Sequence, residues 1–330
     1  MISISSENDE AEISIPIIDF SRWSSCSSTE QRASVAKELV AACHDVGFVT
    51  LINHGVSPSL LDEAFEWSKR LFELQTEEKM LAPHPDGAAV HRGYSYPGLE
   101  KVSQVISSDP EVGESLRAVT DCKESYEIGS SSNDEQPNIW LPEHVLPGFR
   151  AFTTRFYWEC ARASHSILAA IGRGLGLSDA DFLLKFHSGH NNQLRLLHYP
   201  PIPTAQLRMD QDDCGGLEVE NQDVRGEFIR VRPVKHAMVV NIGDLLMRWS
   251  NDYLLSTLHR VTLPPSHHNP PDRMTRARYS IPYFVAPDSD AVIACLKECA
   301  SASNPVKYEP VVQKDYRLMR GKLQYSEKAP

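Results

Sequence analysis

The sequence predicts a mainly β protein with α: an antiparallel sandwich or barrel in its second half, flanked by an α-rich N-terminal lobe and long helices. Three observations predict this. Beyond residue 190 the segments QLRLLHY, EFIRVRP, AMVVNIGD, TLHRVTL and RYSIPYFV are each strand-sized and are separated by Pro, Gly and Asp turns. Before residue 190, apolar residues recur at three- and four-residue spacing over helix-length stretches. With 330 residues, of which 41% are hydrophobic, the chain can bury a sizeable core.

The elements follow in order. After an acidic tail at residues 1–12, ISIPIIDF alternates apolar residues and meets a Ser-rich loop, as a first strand would. Ser28 and Gln31 have capping-box spacing, Val35, Leu39, Ala42 and Val46 share a helical face, and Gly47 stands where a helix stops. FVTLINHG is a short buried strand. Ser57 before Pro58 starts a second helix, whose segment LLDEAFEWSKRLFEL carries a broad apolar face. Residues 78–145, with HRGYSYPGLEKVS and KESYEIGSSSNDEQPN, are too polar for core strands and predict long surface loops, the first of them a lid. A long helix spans Phe149 to Ile171, with Phe149, Phe152, Phe156, Ala163, Ile167 and Ala170 on one side, and ends at Gly174 or Gly176. Ser178 and Asp181 are spaced to cap a shorter helix running into FLLKF.

Composition excludes several function classes. The net charge is −11 and the 33 Lys and Arg residues form no block, which argues against a nucleic-acid partner. No apolar run approaches the ~18 residues of a membrane span, and the polar, acidic start is unlike a secretory signal, so a cytoplasmic protein is expected. The seven cysteines, at 26, 43, 122, 160, 214, 295 and 299, form no CxxC pair. A disulfide framework and a zinc knuckle are therefore not expected, and most of these cysteines read as small buried apolar residues.

NIGDLLMRWSND, STLHRV and RYSIPYF follow one another in the C-terminal strands, and IPIIDF, GFVTLINHGV, RGYSYPGLEKV, KESYEIG and LRLLHYPP precede them in order. Together these segments resemble the iron(II)/2-oxoglutarate dioxygenases of the isopenicillin N synthase-like superfamily, and within it the fungal branch that includes thymine 7-hydroxylase. The resemblance spans residues 15 to about 290. It implies a double-stranded β-helix (jelly-roll) core over residues 146–290, an N-terminal lobe over 13–145 and a C-terminal helical extension over 291–330. It also implies Fe(II) as cofactor, 2-oxoglutarate and O2 as co-substrates, and hydroxylation or desaturation of a small molecule.

Such an enzyme holds iron with two His and one carboxylate, leaving open positions for co-substrate and oxygen. It binds the distal carboxylate of 2-oxoglutarate with a guanidinium, whose fork matches a carboxylate and stays charged. By resemblance His259 is the distal iron ligand, and Arg278 with Ser280 is the carboxylate clamp. Tyr199 and Arg195, an even number of residues apart on one strand, would face the same cavity and contact co-substrate or substrate. The alternatives are plain: a packed or surface histidine for His259, a surface strand residue for Arg278, and simple packing for Tyr199 and Arg195. Asn241, Arg248 and Trp249 belong to a recurrent stretch expected to shape the barrel mouth.

One segment departs from the pattern. In the family, the stretch after HYPP carries His-x-Asp, the first two iron ligands, and then a strand. Here TAQLRM runs directly into DQDDCGGLEV, and no histidine occurs between His198 and His236. A ligand turn and a strand of ~5–6 residues or more are missing. Asp210 can align with the iron-binding Asp only if Arg208 stands where the His belongs, and a guanidinium has no lone pair to give. A calcium loop starting at Asp210 would put Cys214 at its fifth position and Asn221 at its twelfth, where a bidentate Glu is required. Three origins stay open: a misread exon boundary, a splice form and a degenerate paralogue. So does a different outcome, a non-catalytic relative that keeps the 2-oxoglutarate pocket. The resemblance to the fungal branch implies a nucleobase, an amino acid or a secondary metabolite as substrate, without fixing which, and the oligomeric state is not legible.

Overall fold

The computed structural model describes residues 15–87, 89–100, 122–201, 216–262 and 277–324. The chain enters on β1 (Ile17–Asp19) and then forms α1 (Thr29–Asp45). As predicted, Ser28 accepts the Gln31 amide at 3.2 Å while the Gln31 side chain takes the Ser28 amide at 2.8 Å. Gly47, at φ +77°, turns the chain into β2 (Phe48–Ile52), which lies parallel to β1. A side chain there would strike the Leu255 carbonyl. Ser57 and Pro58 start α2 (Pro58–Phe72), and one further helical turn, α3 (Thr76–Lys79), follows.

The next stretch corrects the loop reading of residues 78–145. Gly93–Ser95 is strand β3 and Glu124–Gly129 is strand β4, and every residue of both is buried. The region reads as polar because its charges are paired inside the protein, a pairing that composition cannot reveal. The first half of the expected lid is thus a core strand. Residues 101–121 lie outside the described residues.

Helix α4 (Phe149–Gly174) carries the predicted apolar side and ends at the predicted glycine. Gly174 packs on α1, where a Cβ would collide with the Ala36 carbonyl. The helix expected from Ser178 and Asp181 is instead a 3₁₀ turn, Leu183–Phe186, with no side-chain cap. The Ser178 amide is taken by Glu298 at 3.1 Å, and Asp179 takes the Asp181 amide in a local turn at 3.1 Å.

The second half is strand-rich, as predicted: β5 (Gln193–Tyr199), β6 (Gly216–Glu220), β7 (Phe228–Arg230) and β8 (Met238–Asn241). Helix α5 (Asp244–Trp249) comes next, then β9 (His259–Thr262), β10 (Arg278–Ser280) and β11 (Tyr283–Phe284). The chain continues through β12 (Val292–Ile293), β13 (Val311–Val312) and α6 (Gln313–Gln324). RYSIPYFV therefore forms two short strands, broken at Pro282, which has no amide to donate. Trp249 is buried among Phe182 and Phe186, and the Arg248 guanidinium lies 4.4 Å from the centre of the Tyr308 ring.

The largest sheet runs β10-β5-β4-β3, with β11 also on β5; β1-β2-β8 and β7-β6-β9 form two further sheets, and β12 pairs with β13. One apolar cluster joins α1, the C-terminal half of α4 and the β1-β2-β8 sheet. A second fills the space between α2, the N-terminal half of α4 and one face of the largest sheet. The fold is thus mixed α/β with several sheets. Of the six described cysteines, Cys43, Cys160 and Cys299 are buried, whereas Cys26 and Cys122 are exposed and Cys295 is half-buried. Burial of most cysteines was the expectation, and it holds for half of them.

Candidate active site

Strand alternation divides the largest sheet into two faces. Leu194 and Leu196 of β5 pack with Tyr126, Ile128, Phe149 and Phe156 in the core, so Arg195, Leu197 and Tyr199 occupy the opposite face. Register carries that face across the sheet. Arg278 lies opposite Tyr199 and Ser280 opposite Leu197, Ser125 opposite Leu197 and Glu127 opposite Arg195, and Ser95 opposite Ser125. The four residues predicted to hold the co-substrate, Arg278, Ser280, Tyr199 and Arg195, therefore share one face. The Arg278 guanidinium stands 5.1 Å from the centre of the Tyr199 ring. Burial raises the pKa of the Tyr199 phenol, against the pull of Arg278 and Arg195, and so keeps it protonated.

At its other end, ~13 Å along β5, the face holds a buried ionic cluster that sequence reasoning missed. Arg195 is ion-paired with Glu100 and, at 3.1 Å, with Glu127. Gln193 donates to Glu127 at 2.6 Å, Ser125 donates to Glu100 at 3.3 Å, and Lys123 lies 3.4 Å from Glu100. Burial pushes the Glu127 carboxyl up, opposed by Arg195, and pulls the Lys123 ammonium down, opposed by Glu100. Two carboxylates already occupy the Arg195 fork, so a third anion reaching it must displace one of them. The signal that could have found this cluster is the alternation inside ESYEIG, where Tyr126 and Ile128 face the core and Ser125 and Glu127 face away from it.

The core face of the same strands carries a second polar knot. Glu124 accepts from Lys79 at 2.7 Å, from His198 at 2.7 Å and from Tyr94 at 2.5 Å. Burial raises the Glu124 pKa, but these three donors outweigh it and the net shift is downward. Its contribution to stability is therefore present above the ordinary glutamate pKa of 4.5 and is lost as pH falls through the lowered value. His198 is stacked between Phe72 and Tyr279, so this knot ties α2 and α3 to the sheet behind Tyr199.

His259 is not on this sheet. It is exposed on β9, opposite Val219, with Nδ1 3.1 Å from the Thr257 carbonyl and its ring edge-on to Phe48. Asp210 lies outside the described residues. Among the described residues, the one group of three or more metal donors is His84, His91 and Glu127, which does not include His259. The described residues therefore do not supply iron with a ligand set around His259. They do suit a carboxylate, for which the Arg278 fork and the Ser280 hydroxyl lie two residues apart on one face.

Two family models match the chain: non-haem dioxygenase in morphine synthesis N-terminal over residues 15–143, and 2OG-Fe(II) oxygenase superfamily over residues 190–287. The chain is 33% identical to the 2-oxoglutarate-Fe(II) type oxidoreductase ppzD of Metarhizium majus, in an alignment taking in 98% of this chain and 100% of that protein. That alignment runs over 359 positions, more than the 330 residues of this chain, so the relative carries residues that this chain lacks. The chain is also 36% identical to the proline hydroxylase buaE of Petromyces alliaceus, over 84% of this chain and 89% of that protein. Among solved structures, a full-length Neurospora crassa protein in complex with alpha-KG and thymine superposes with a TM-score of 0.80 at 34% identity. That match covers 95% of this chain and 98% of the other. Among the described residues no helix is long and apolar enough to cross a membrane.

Proposed function

The chain belongs to the 2-oxoglutarate- and Fe(II)-dependent dioxygenases, and from that premise we propose that it retains the family's co-substrate pocket while its turnover is impaired. The observation that carries the proposal is the shared sheet face: Arg278, Ser280 and Tyr199 come together on the largest sheet, while His259 stands apart on β9 without a completing donor set among the described residues.

In this reading Arg278 takes the distal carboxylate of 2-oxoglutarate on its fork, Ser280 donates a further hydrogen bond, and Tyr199 flanks both. Arg195, held by Glu100 and Glu127, acts as a wall of the pocket. The missing turn would have supplied a His and an Asp to stand with His259, and Asp210 with His259 is an incomplete set. The gapped alignment with the longer relative supports a lost internal segment. A non-catalytic relative that binds 2-oxoglutarate without turnover is the second reading, favoured by the same absence of histidine between His198 and His236.

We place strands β5 to β11 in a double-stranded β-helix spanning residues 146–290, with an N-terminal lobe over 13–145 and an extension over 291–330. The substrate is assigned to small polar molecules, an amino acid, a nucleobase or a secondary metabolite derived from them. Two features support this: the far end of the sheet face is lined by Ser95, Ser125, Glu100 and Arg195, and the relatives include a proline hydroxylase and a thymine complex. The reaction is hydroxylation or desaturation, in a cytoplasmic setting.

Calorimetric titration of the purified chain with 2-oxoglutarate tests the pocket. Binding of one equivalent, with succinate competing because it carries the same terminal carboxylate for the Arg278 fork, is expected. Absence of any heat of binding at millimolar 2-oxoglutarate would show that the sheet face holds no co-substrate.

A further inference from the structure

His84, His91 and Glu127 are all buried, and one donor atom from each lies within 4.8 Å of those of the other two. His91 Nδ1 stands 3.9 Å from Glu127 Oε2, and the two rings meet edge-on with their centres 6.0 Å apart. The backbone that presents them is tied down. The His84 amide donates to the Tyr94 carbonyl at 2.8 Å and the His91 amide to Gln136 at 3.1 Å. Arg92 fastens the same turn through the carbonyls of His91, at 2.6 Å, and Gln136, at 3.1 Å. Glu127 comes from the middle of β4, the most heavily paired part of the largest sheet.

The tautomer of His84 is also set. Its Nδ1 lies 2.7 Å from the Pro85 carbonyl, which can only accept, so Nδ1 carries a proton and Nε2 is the nitrogen that would meet a metal. A ring nitrogen donating to a backbone carbonyl while the other faces inward is the usual support of a metal-bound histidine. Metal–ligand bonds of about 2.0–2.1 Å place tetrahedral donors roughly 3.4 Å apart. The group therefore needs its donor separations to close by up to about 1.4 Å, within reach of side-chain rotation.

We propose that His84, His91 and Glu127 form a binding site for a borderline-soft divalent cation of the Zn(II) kind, separate from the position of His259. The surrounding charges choose the class of metal. Arg195 is ion-paired with Glu127, Arg92 borders the same turn, and Arg317 reaches the Ala89 carbonyl at 3.0 Å, while Glu100 and Lys123 lie beyond Arg195. One carboxylate among these guanidinium groups cannot hold Ca(II) or Mg(II), whose binding depends on several oxygen ligands. Imidazole ligands bind through a ring-nitrogen lone pair and suit Zn(II). The bound metal ties His84 and His91 to β4.

The test uses the full chain, stripped with a chelator and titrated with Zn(II) against a chromophoric competitor, with Co(II) as a spectroscopic substitute. One equivalent of Zn(II) bound with a Kd below about 1 µM is expected. It should persist in His259→Ala and weaken at least ~30-fold in His84→Ala and in His91→Ala. Glu127→Gln puts a neutral amide of the same shape against Gln193 and should weaken binding by ~10-fold or more. It decides the matter if a histidine variant fails to fold. Absence of stoichiometric Zn(II), binding that survives all three substitutions, or binding lost in His259→Ala would each overturn the site.

Discussion

Inserting a His-x-Asp turn and the strand that follows it after Met209 is expected to take succinate release from background to sustained turnover. The change is all-or-none in kind because a metal site fails as a set. His259 alone, or with Asp210, leaves iron mostly solvated and loosely held, whereas two histidines and a carboxylate hold it and leave positions open for co-substrate and oxygen. The insertion should also raise stability, since a missing internal strand leaves its neighbours with unpaired backbone groups. Consistent with that, Leu258 and Val261, on and beside β9, are exposed apolar residues. In the restored protein, His259→Ala should return turnover to background. A folded, restored chain that released no succinate would count against His259 as a ligand.

Arg278→Ala in the restored protein is expected to weaken 2-oxoglutarate binding by at least ~30-fold, with Arg278→Lys intermediate. Arg278 and Ser280 lie two residues apart on β10, opposite Tyr199 and Leu197, so both meet one ligand on one side of the sheet. Truncating the guanidinium leaves a co-substrate carboxylate desolvated and unpaired, at a cost of roughly 2–5 kcal/mol. Lysine restores the charge without the fork. Equal affinity of the parent and Arg278→Ala by calorimetry would show that the co-substrate is held elsewhere.

Much of the fold is legible where local chemistry dominates. Ser28 with Gln31, Ser57 with Pro58, and Gly174 mark helix ends through bonds within a few residues, and strand alternation in QLRLLHY already places Arg195 and Tyr199 on one face. What the sequence hides is long-range pairing. KESYEIG reads as a surface loop because its two glutamates look solvated, yet Glu124 finds Lys79, Tyr94 and His198, and Glu127 finds Arg195 and Gln193. Those partners lie tens of residues away in the chain, so no local pattern announces them. The Ser178 spacing fails for the opposite reason: a neighbouring aspartate, Asp179, and a distant glutamate, Glu298, compete for the amides that a cap would use. Within the site, the co-substrate face follows from alternation once the strand is known. The buried His84 and His91 carry no spacing signal, because their third partner, Glu127, comes from β4, tens of residues further along the chain.

Succinate release from 2-oxoglutarate by the unmodified chain, supplied with Fe(II), ascorbate and O2, tests the central claim most directly. No succinate above a protein-free control is expected, with or without small polar substrates such as proline or thymine. Succinate formed above that control and abolished by His259→Ala would contradict it, because a working iron site would then exist without the missing turn.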